Sequence, residues 1–178
     1  MKKTQESYRP VVIGVGHKPE NLPQLLKLID EHAKDKRRIG LELPPSSLAA
    51  IKKGLQFPGF FYLAGRHALE RGLTIHCLID DRFHRALAKI ITDPEKRALA
   101  AHYRAAMAPA MTSMMLKKAR ESKPEIIVIG GNHAQIIARE LGVEPVMVGN
   151  PPSEQFVKDQ RRRAIEEIAR DRAQRRRK

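Results

Sequence analysis

Short apolar runs alternate along this chain with longer stretches of helical periodicity. The apolar runs predict strands at 11–15, 38–43, 73–79, 126–130 and 146–148. The stretches between them predict helices at 21–33 with Asn21 as the N-cap, after a cap at Ser46 or Ser47, at 60–71, at 83–122 with a break at 93–95, and at 135–141. Long helical crossovers cannot be hairpin loops, so the strands should pair in parallel. The pattern predicts an α/β fold, a mostly parallel sheet of about four to five strands flanked by helices.

The last segment has a different pattern. Residues 1–152 form the predicted single α/β domain, and residues 153–178 form a predicted basic C-terminal helix or tail. This helix has a thin apolar stripe of Phe156, Val157, Ala164, Ile165 and Ile168. We expect the stripe to dock on the domain or to pair with a second copy of the chain in a homodimer.

Composition limits the class of protein. The chain has 178 residues, one cysteine and no tryptophan, which suits one domain with no internal disulfide. Its first residues are too polar for a signal peptide, and its longest mostly apolar stretch, 105–116, is too short to span a bilayer. These features predict a cytoplasmic protein that does not enter a membrane.

The chain is strongly basic, with 34 Lys and Arg against 20 Asp and Glu and a formal net charge of +14. Ten of the basic and five of the acidic side chains lie in residues 153–178, so most of the excess lies elsewhere. Such a field favours an acidic substrate or a polyanionic partner. Aromatic residues make up only 4%, which disfavours a single-strand binder that stacks bases.

Two Gly-x-x-His motifs lie at the ends of predicted strands and are the strongest indication of a functional site in the sequence. They end in His17 and His133, while Glu42 ends the second predicted strand and Asp81 and Arg82 follow the third. The carboxyl ends of parallel strands form one rim, where ligands bind in α/β folds. We therefore expect these side chains to share a site, although either histidine alone is more often structural and Asp81 with Arg82 fits a structural ion pair equally well.

This set of residues suits two kinds of hydrolytic site. His17, Glu42 and His133 are suitable ligands for a divalent metal ion such as manganese, cobalt or zinc, which would activate water. Without a metal ion, a histidine oriented by a carboxylate can act as the base, and Arg82 can stabilise the oxyanion.

The motifs resemble those of the TraB family, within the wider group of TIKI, erythromycin-esterase and ChaN-like proteins. They are Val-Ile-Gly-Val-Gly-His at 12–17, Ile-Gly-Leu-Glu-Leu at 39–43, Leu-Ile-Asp-Asp-Arg at 78–82 and Val-Ile-Gly-Gly-Asn-His at 128–133. The resemblance implies an α/β core with a site of two motif histidines, a strand-end glutamate and an Asp-Arg pair, here His17, His133, Glu42 and Asp81-Arg82. The family also has a charged motif on the helix before the second Gly-x-x-His, and Arg104 is the nearest charged residue to that position.

These observations predict a metal-dependent hydrolase that cleaves an ester or amide bond in a small-molecule or peptide substrate. One alternative is a nucleic-acid-associated protein that binds weakly through its basic tail. A further alternative is a non-enzymatic binder of a small anion at the backbone N–H groups of 130–132.

Overall fold

The computed structural model describes residues 8–93, 99–150 and 153–175. Their strands form one sheet, in the order β3-β2-β4-β1-β5, and every pairing between neighbours is parallel. The strands are β1 Val11–Val15, β2 Arg38–Leu41, β3 Thr74–Cys77, β4 Ile126–Gly130 and β5 Pro145–Val148. The predicted α/β fold is confirmed.

Helices connect the strands, as parallel pairing requires. They are α1 Leu22–His32, α2 Pro45–Lys52, α3 Phe60–Glu70, α4 Asp81–Thr92, α5 Ala100–Ser122, α6 Gly131–Leu141 and α7 Glu154–Arg175, and a short 3₁₀ helix, Pro19–Asn21, precedes α1. None of the helices in the described ranges is long and apolar enough to cross a membrane. The predicted break at 93–95 is described only as far as Asp93, just after α4, and its other two positions lie outside the described residues.

The sheet separates two hydrophobic cores because successive side chains of a strand point to opposite faces. On one face Ile13 packs with residues of α1, α2 and α3. On the other face Val12 packs with residues of α5 and α6. Both faces of the sheet are therefore covered, which explains why β4 is buried at every position.

The C-terminal helix α7 packs against α5 of the same chain. Ala164 and Ile168 are buried, whereas Phe156 is 51% and Ile165 49% exposed. The apolar stripe thus docks on the domain through part of its length.

Several element boundaries differ from those expected, among them the starts of two helices. Helix α2 begins at Pro45, ahead of the predicted serine caps, because proline is pre-organised for the first helical turn. Helix α6 begins at Gly131 instead of 135, and this places His133 in its first turn.

Candidate active site

The carboxyl ends of β1, β2 and β4, three neighbouring strands, bring three of the predicted side chains to one rim. His17 lies two residues beyond β1, Glu42 directly follows β2, and His133 is the third residue of α6, which directly follows β4. The sheet order places β4 between β1 and β2. Residues at the end of β4 can therefore contact both His17 and Glu42.

Glu42 is tied to the end of β4 through its side chain. Its backbone N–H donates to the Val128 carbonyl (3.1 Å), as in a parallel ladder. The next bond of such a ladder would run from the Gly130 N–H to the main-chain oxygen of Glu42. Instead the Gly130 N–H donates to Oε2 of the Glu42 carboxyl at 2.6 Å. This substitution ends β2 at Leu41, earlier than predicted, and fixes the carboxyl at the rim.

The first glycine of each Gly-x-x-His motif allows a close approach. A Cβ on Gly130 would lie 3.0 Å from Nε2 of His17 and 3.2 Å from Oε2 of Glu42. A Cβ on Gly14 would lie 2.6 Å from Cβ of Ala134, in the first turns of α6. Gly130 thus lets His17 and Glu42 share one small surface, and Gly14 lets the helix that carries His133 pack on β1.

The loop that carries His17 is held from two sides. The Gly16 N–H donates to the Val148 carbonyl (3.1 Å), and Nδ2 of Asn21 donates to the Gly16 carbonyl (2.8 Å). The sequence predicts Asn21 as the N-cap of α1, but its side chain makes no capping bond there. Asn21 thus stands at the predicted N-cap position, but its side-chain amide holds the loop before His17 instead of capping the helix.

Two aromatic rings at the start of α3 cover one side of His17. The Phe60 ring stacks on the imidazole at a centroid distance of 5.9 Å, and the Phe61 ring meets it edge-on at 4.9 Å. His17 remains exposed to solvent. The imidazole is therefore oriented by apolar contacts while remaining accessible to a substrate.

His133 contacts helix α5. Its Nδ1 lies 2.7 Å from Oγ1 of Thr112, and the same oxygen lies 2.9 Å from the Ala108 carbonyl oxygen. Thr112 is a buried polar residue, with 6% exposure, in the region where α5 packs on the sheet. One edge of the His133 ring is thus fixed to the core.

The environment shifts the proton affinity of all three groups. Burial raises the pKa of Glu42 to about 7, against the opposing effects of the Gly130 hydrogen bond and the Arg104 charge. Burial and the charge of Arg104 lower the pKa of His17, and burial and the proximity of His17 lower the pKa of His133 to about 4. The site therefore holds two neutral imidazoles and a carboxyl that exchanges its proton near neutral pH.

The predicted Asp-Arg pair has a different setting. Oδ1 of Asp81 accepts a hydrogen bond from the Ser46 N–H (3.1 Å), and the bonds from Ser46 lower the pKa of the Asp81 carboxyl. Arg82 is exposed in the first turn of α4. The cation whose charge acts on both His17 and Glu42 is Arg104, on α5. Asp81 thus joins α4 to α2, and Arg104 supplies positive charge to the cluster.

The side chains of this cluster do not stand in a metal-ligand arrangement. Within the described ranges, no group of three or more His, Cys, Asp or Glu residues is placed to hold a metal ion. Oε2 of Glu42 already accepts a hydrogen bond from the Gly130 N–H, and Nδ1 of His133 is already hydrogen-bonded to Thr112. The positive charge of Arg104 also opposes a cation here.

The anion-binding alternative depends on the same backbone. Of the N–H groups at 130–132, that of Gly130 is occupied by the Glu42 carboxyl. A phosphate or carboxylate ligand would have to displace this carboxyl or bind beside it. The Glu42 carboxyl therefore competes with an anionic ligand for the Gly130 N–H.

Sequence reasoning did not single out Thr112, Phe60 or Phe61. They contact the two histidines from α5 and α3, which lie far from the Gly-x-x-His motifs in sequence. No short motif marks them. Arg104 carried one signal, its position on the helix before the second Gly-x-x-His.

The chain matches no protein-family model, no curated protein sequence and no solved structure. The resemblance to the TraB family therefore stays a prediction that rests on the four motifs. The chemistry available at the rim follows from the residues described above.

Proposed function

We propose that this chain is a hydrolase that cleaves an ester or amide bond at the cluster of Glu42, His17 and His133. The observation that carries the proposal is the convergence of a carboxyl and two imidazoles at the ends of three neighbouring strands. Each of these side chains is held in place by a hydrogen bond or an aromatic ring contact. A solvated surface residue needs no such contact. Such fixed titratable groups are typical of catalytic sites.

Glu42 is the general base in this proposal. Its Oε2 is engaged by Gly130, so Oε1 is the oxygen that takes a proton from water as the water oxygen attacks the substrate carbonyl carbon. The tetrahedral intermediate then collapses, and the protonated Glu42 returns that proton to the departing alkoxide or amine. A pKa of about 7 suits both steps, because proton transfer is most efficient when the catalytic pKa lies near the working pH.

The remaining residues position the water and the substrate and stabilise the negative charge that develops. Neutral His17 and His133 orient the water and the substrate through hydrogen bonds, and Phe60 and Phe61 cover one side of His17 with apolar surface. Arg104 stabilises the negative charge on the carbonyl oxygen or holds an anionic group of the substrate. With the +14 net charge, this favours an acidic small molecule or peptide as substrate.

A metal-dependent form of the same hydrolysis requires His17, Glu42 and His133 to converge on one divalent ion, such as manganese, cobalt or zinc. The lowered pKa values of both histidines favour it, because neutral imidazole is the ligand form. The charge of Arg104 and the present hydrogen bonds of the cluster oppose it. Elemental mass spectrometry and a chelation and reloading series separate the two forms of the reaction.

The proposal is tested with a panel of esters and peptides, with acidic members included, and product detection by mass spectrometry. We expect turnover by the full chain that survives chelation and that falls by about 100-fold or more in Glu42→Gln. Glu31→Gln removes an exposed carboxyl on α1 and serves as the matched control. Equal turnover in Glu42→Gln and in the control would contradict the proposal, and turnover that depends on reloaded metal would favour the metal-dependent form.

A further inference from the structure

Thr112 occupies a bonding position that determines where the proton of His133 lies. Its Oγ1 is 2.9 Å from the Ala108 carbonyl oxygen and 2.7 Å from Nδ1 of His133. A carbonyl oxygen can only accept a hydrogen bond, so the bond to Ala108 requires Thr112 to donate. A threonine hydroxyl has one hydrogen, and this bond uses it.

The bond to His133 must therefore run the other way. With its hydrogen directed at Ala108, Oγ1 can only accept from the histidine, which places the proton on Nδ1 of His133. If Nδ1 were unprotonated, its lone pair would face a lone pair of the buried Thr112 oxygen at 2.7 Å. Neutral imidazole carries one ring proton, so Nε2 is left with its lone pair.

We infer that Thr112 is a positioning residue, which holds His133 in the Nδ1–H tautomer so that Nε2 is a hydrogen-bond acceptor at the rim. Its importance for turnover rests on the proposed hydrolysis, whereas the tautomer itself does not. An acceptor at Nε2 binds an O–H of the water that Glu42 deprotonates. The opposite tautomer would present an N–H there and would turn the water away from its productive orientation.

The local helix explains why Thr112 can do this. A threonine inside a helix commonly donates a hydrogen bond from its hydroxyl to the carbonyl four residues earlier. The lone pairs of its oxygen then stay free to accept a hydrogen bond. Here the carbonyl is that of Ala108, and the accepted proton comes from His133 on a different helix. Because Thr112 is buried, replacement of its hydroxyl by a methyl group leaves the ring N–H facing an apolar group, without this partner.

The tautomer is read directly from side-chain ¹⁵N NMR spectra of the full chain, with His133 assigned by the signals that disappear in His133→Gln. We expect wild type to show a protonated Nδ1 and an unprotonated Nε2 at His133 near neutral pH. Thr112→Ser keeps the hydroxyl and should show the same pattern. Thr112→Val is nearly isosteric and should lose it, with a substantial population of the Nε2–H form.

Kinetics extend the test where turnover is detected. Thr112→Val should lower kcat by about 10- to 100-fold with a smaller change in KM, and Thr112→Ser should restore it. Ser113→Val alters an exposed neighbour on the same helix and controls for the effect of a β-branched residue there. A wild-type His133 with its proton on Nε2 would overturn the inference even if Thr112→Val failed to fold. An unchanged tautomer in folded Thr112→Val would overturn it as well, and neither result depends on the hydrolysis.

Discussion

The carboxyl of Glu42 accepts a 2.6 Å hydrogen bond from the Gly130 N–H, in the place where a parallel ladder would use the main-chain oxygen of residue 42. A side chain thus completes the hydrogen bonding of the sheet at its rim. The same carboxyl and the His17 ring both border the space that a side chain at Gly130 would fill. This one residue therefore has a structural role in the sheet and a chemical role in the proposed reaction, and the two roles can be separated by experiment.

Glu42→Gln should make the protein more stable at alkaline pH. The pKa of Glu42 is about 7 in the folded protein against an ordinary 4.5, so its contribution to stability is present below pH 4.5 and is lost as the pH rises through 7. The loss corresponds to about 3 kcal/mol in the free energy of unfolding. Glutamine can accept the same Gly130 bond without a charge. Urea unfolding at about pH 4.5 and about pH 8 should show the variant gaining on wild type only at the higher pH.

The control for this experiment is Glu31→Gln, which should keep the pH dependence of the wild type. If Glu42→Gln is instead destabilised to the same extent at both pH values, folding does not raise the pKa of Glu42, and its proposed role as a base near neutrality is wrong.

His133→Gln should have the opposite pH dependence. The pKa of His133 is about 4 in the folded protein against an ordinary 6.5, so its contribution is present above pH 6.5 and is lost as the pH falls through 4. The loss again corresponds to about 3 kcal/mol. The variant should therefore lose less stability than wild type on acidification, as measured by urea unfolding at about pH 7 and about pH 4. His84→Gln, at an exposed position on α4, should behave like wild type, and identical acid sensitivity in His133→Gln would show that His133 is solvated.

Arg104→Gln should move the pH profile of hydrolysis. Arg104 lowers the pKa of Glu42, so its removal should raise that pKa and shift the acidic limb of kcat/KM to higher pH. We also expect turnover to fall by about 100-fold, most for anionic substrates. Arg82→Gln is the direct comparison, because the motifs point to Arg82 and the charge distribution of the folded chain points to Arg104. Loss of activity in Arg82→Gln with none in Arg104→Gln would assign the role to Arg82.

Gly130→Ala should impair the site through a single methyl group. That methyl group would lie 3.0 Å from Nε2 of His17 and 3.2 Å from Oε2 of Glu42, so one of the two side chains must move. Because a misplacement of about 1 Å can cost about 100-fold in rate, we expect this smaller shift to lower turnover by about 3- to 10-fold. Gly59→Ala is the matched control, because its methyl group would have no neighbour closer than 3.6 Å. Turnover equal to wild type in Gly130→Ala would show that the close approach of His17 and Glu42 to this glycine is not needed for the reaction.

The pattern of apolar and polar residues predicts the α/β scaffold and the placement of three candidate site residues at one rim of the sheet. Apolar runs followed by glycine or proline marked the strands, and the rule for carboxyl ends of parallel strands brought His17, Glu42 and His133 together. The sequence predicts a later start for α6 because Gly131 and Asn132 are poor helix formers. The helix nevertheless begins at Gly131, and its residue Ala134 packs closely on Gly14 of β1.

The supporting contacts could not be predicted in the same way. Thr112, Phe60 and Phe61 reach the histidines only because α5 and α3 pack on opposite faces of the sheet. The bond from Gly130 to the Glu42 carboxyl replaces a backbone bond, and nothing in a strand pattern distinguishes the two. Asn21 is a residue type that commonly caps helices through its side chain, but here that side chain holds the loop before His17. Each of these depends on tertiary contacts that sequence spacing does not encode.

Proton exchange at Glu42 near neutral pH is the property on which the proposed hydrolysis depends. It is measured by titration of the full chain labelled with ¹³C at glutamate carboxyl carbons, with Glu42 assigned by comparison with Glu42→Gln. A carboxyl that titrates with a midpoint near 7 is the predicted result. A midpoint near the ordinary 4.5 would contradict it, because Glu42 would then be a fully ionised group with no proton to exchange at neutral pH.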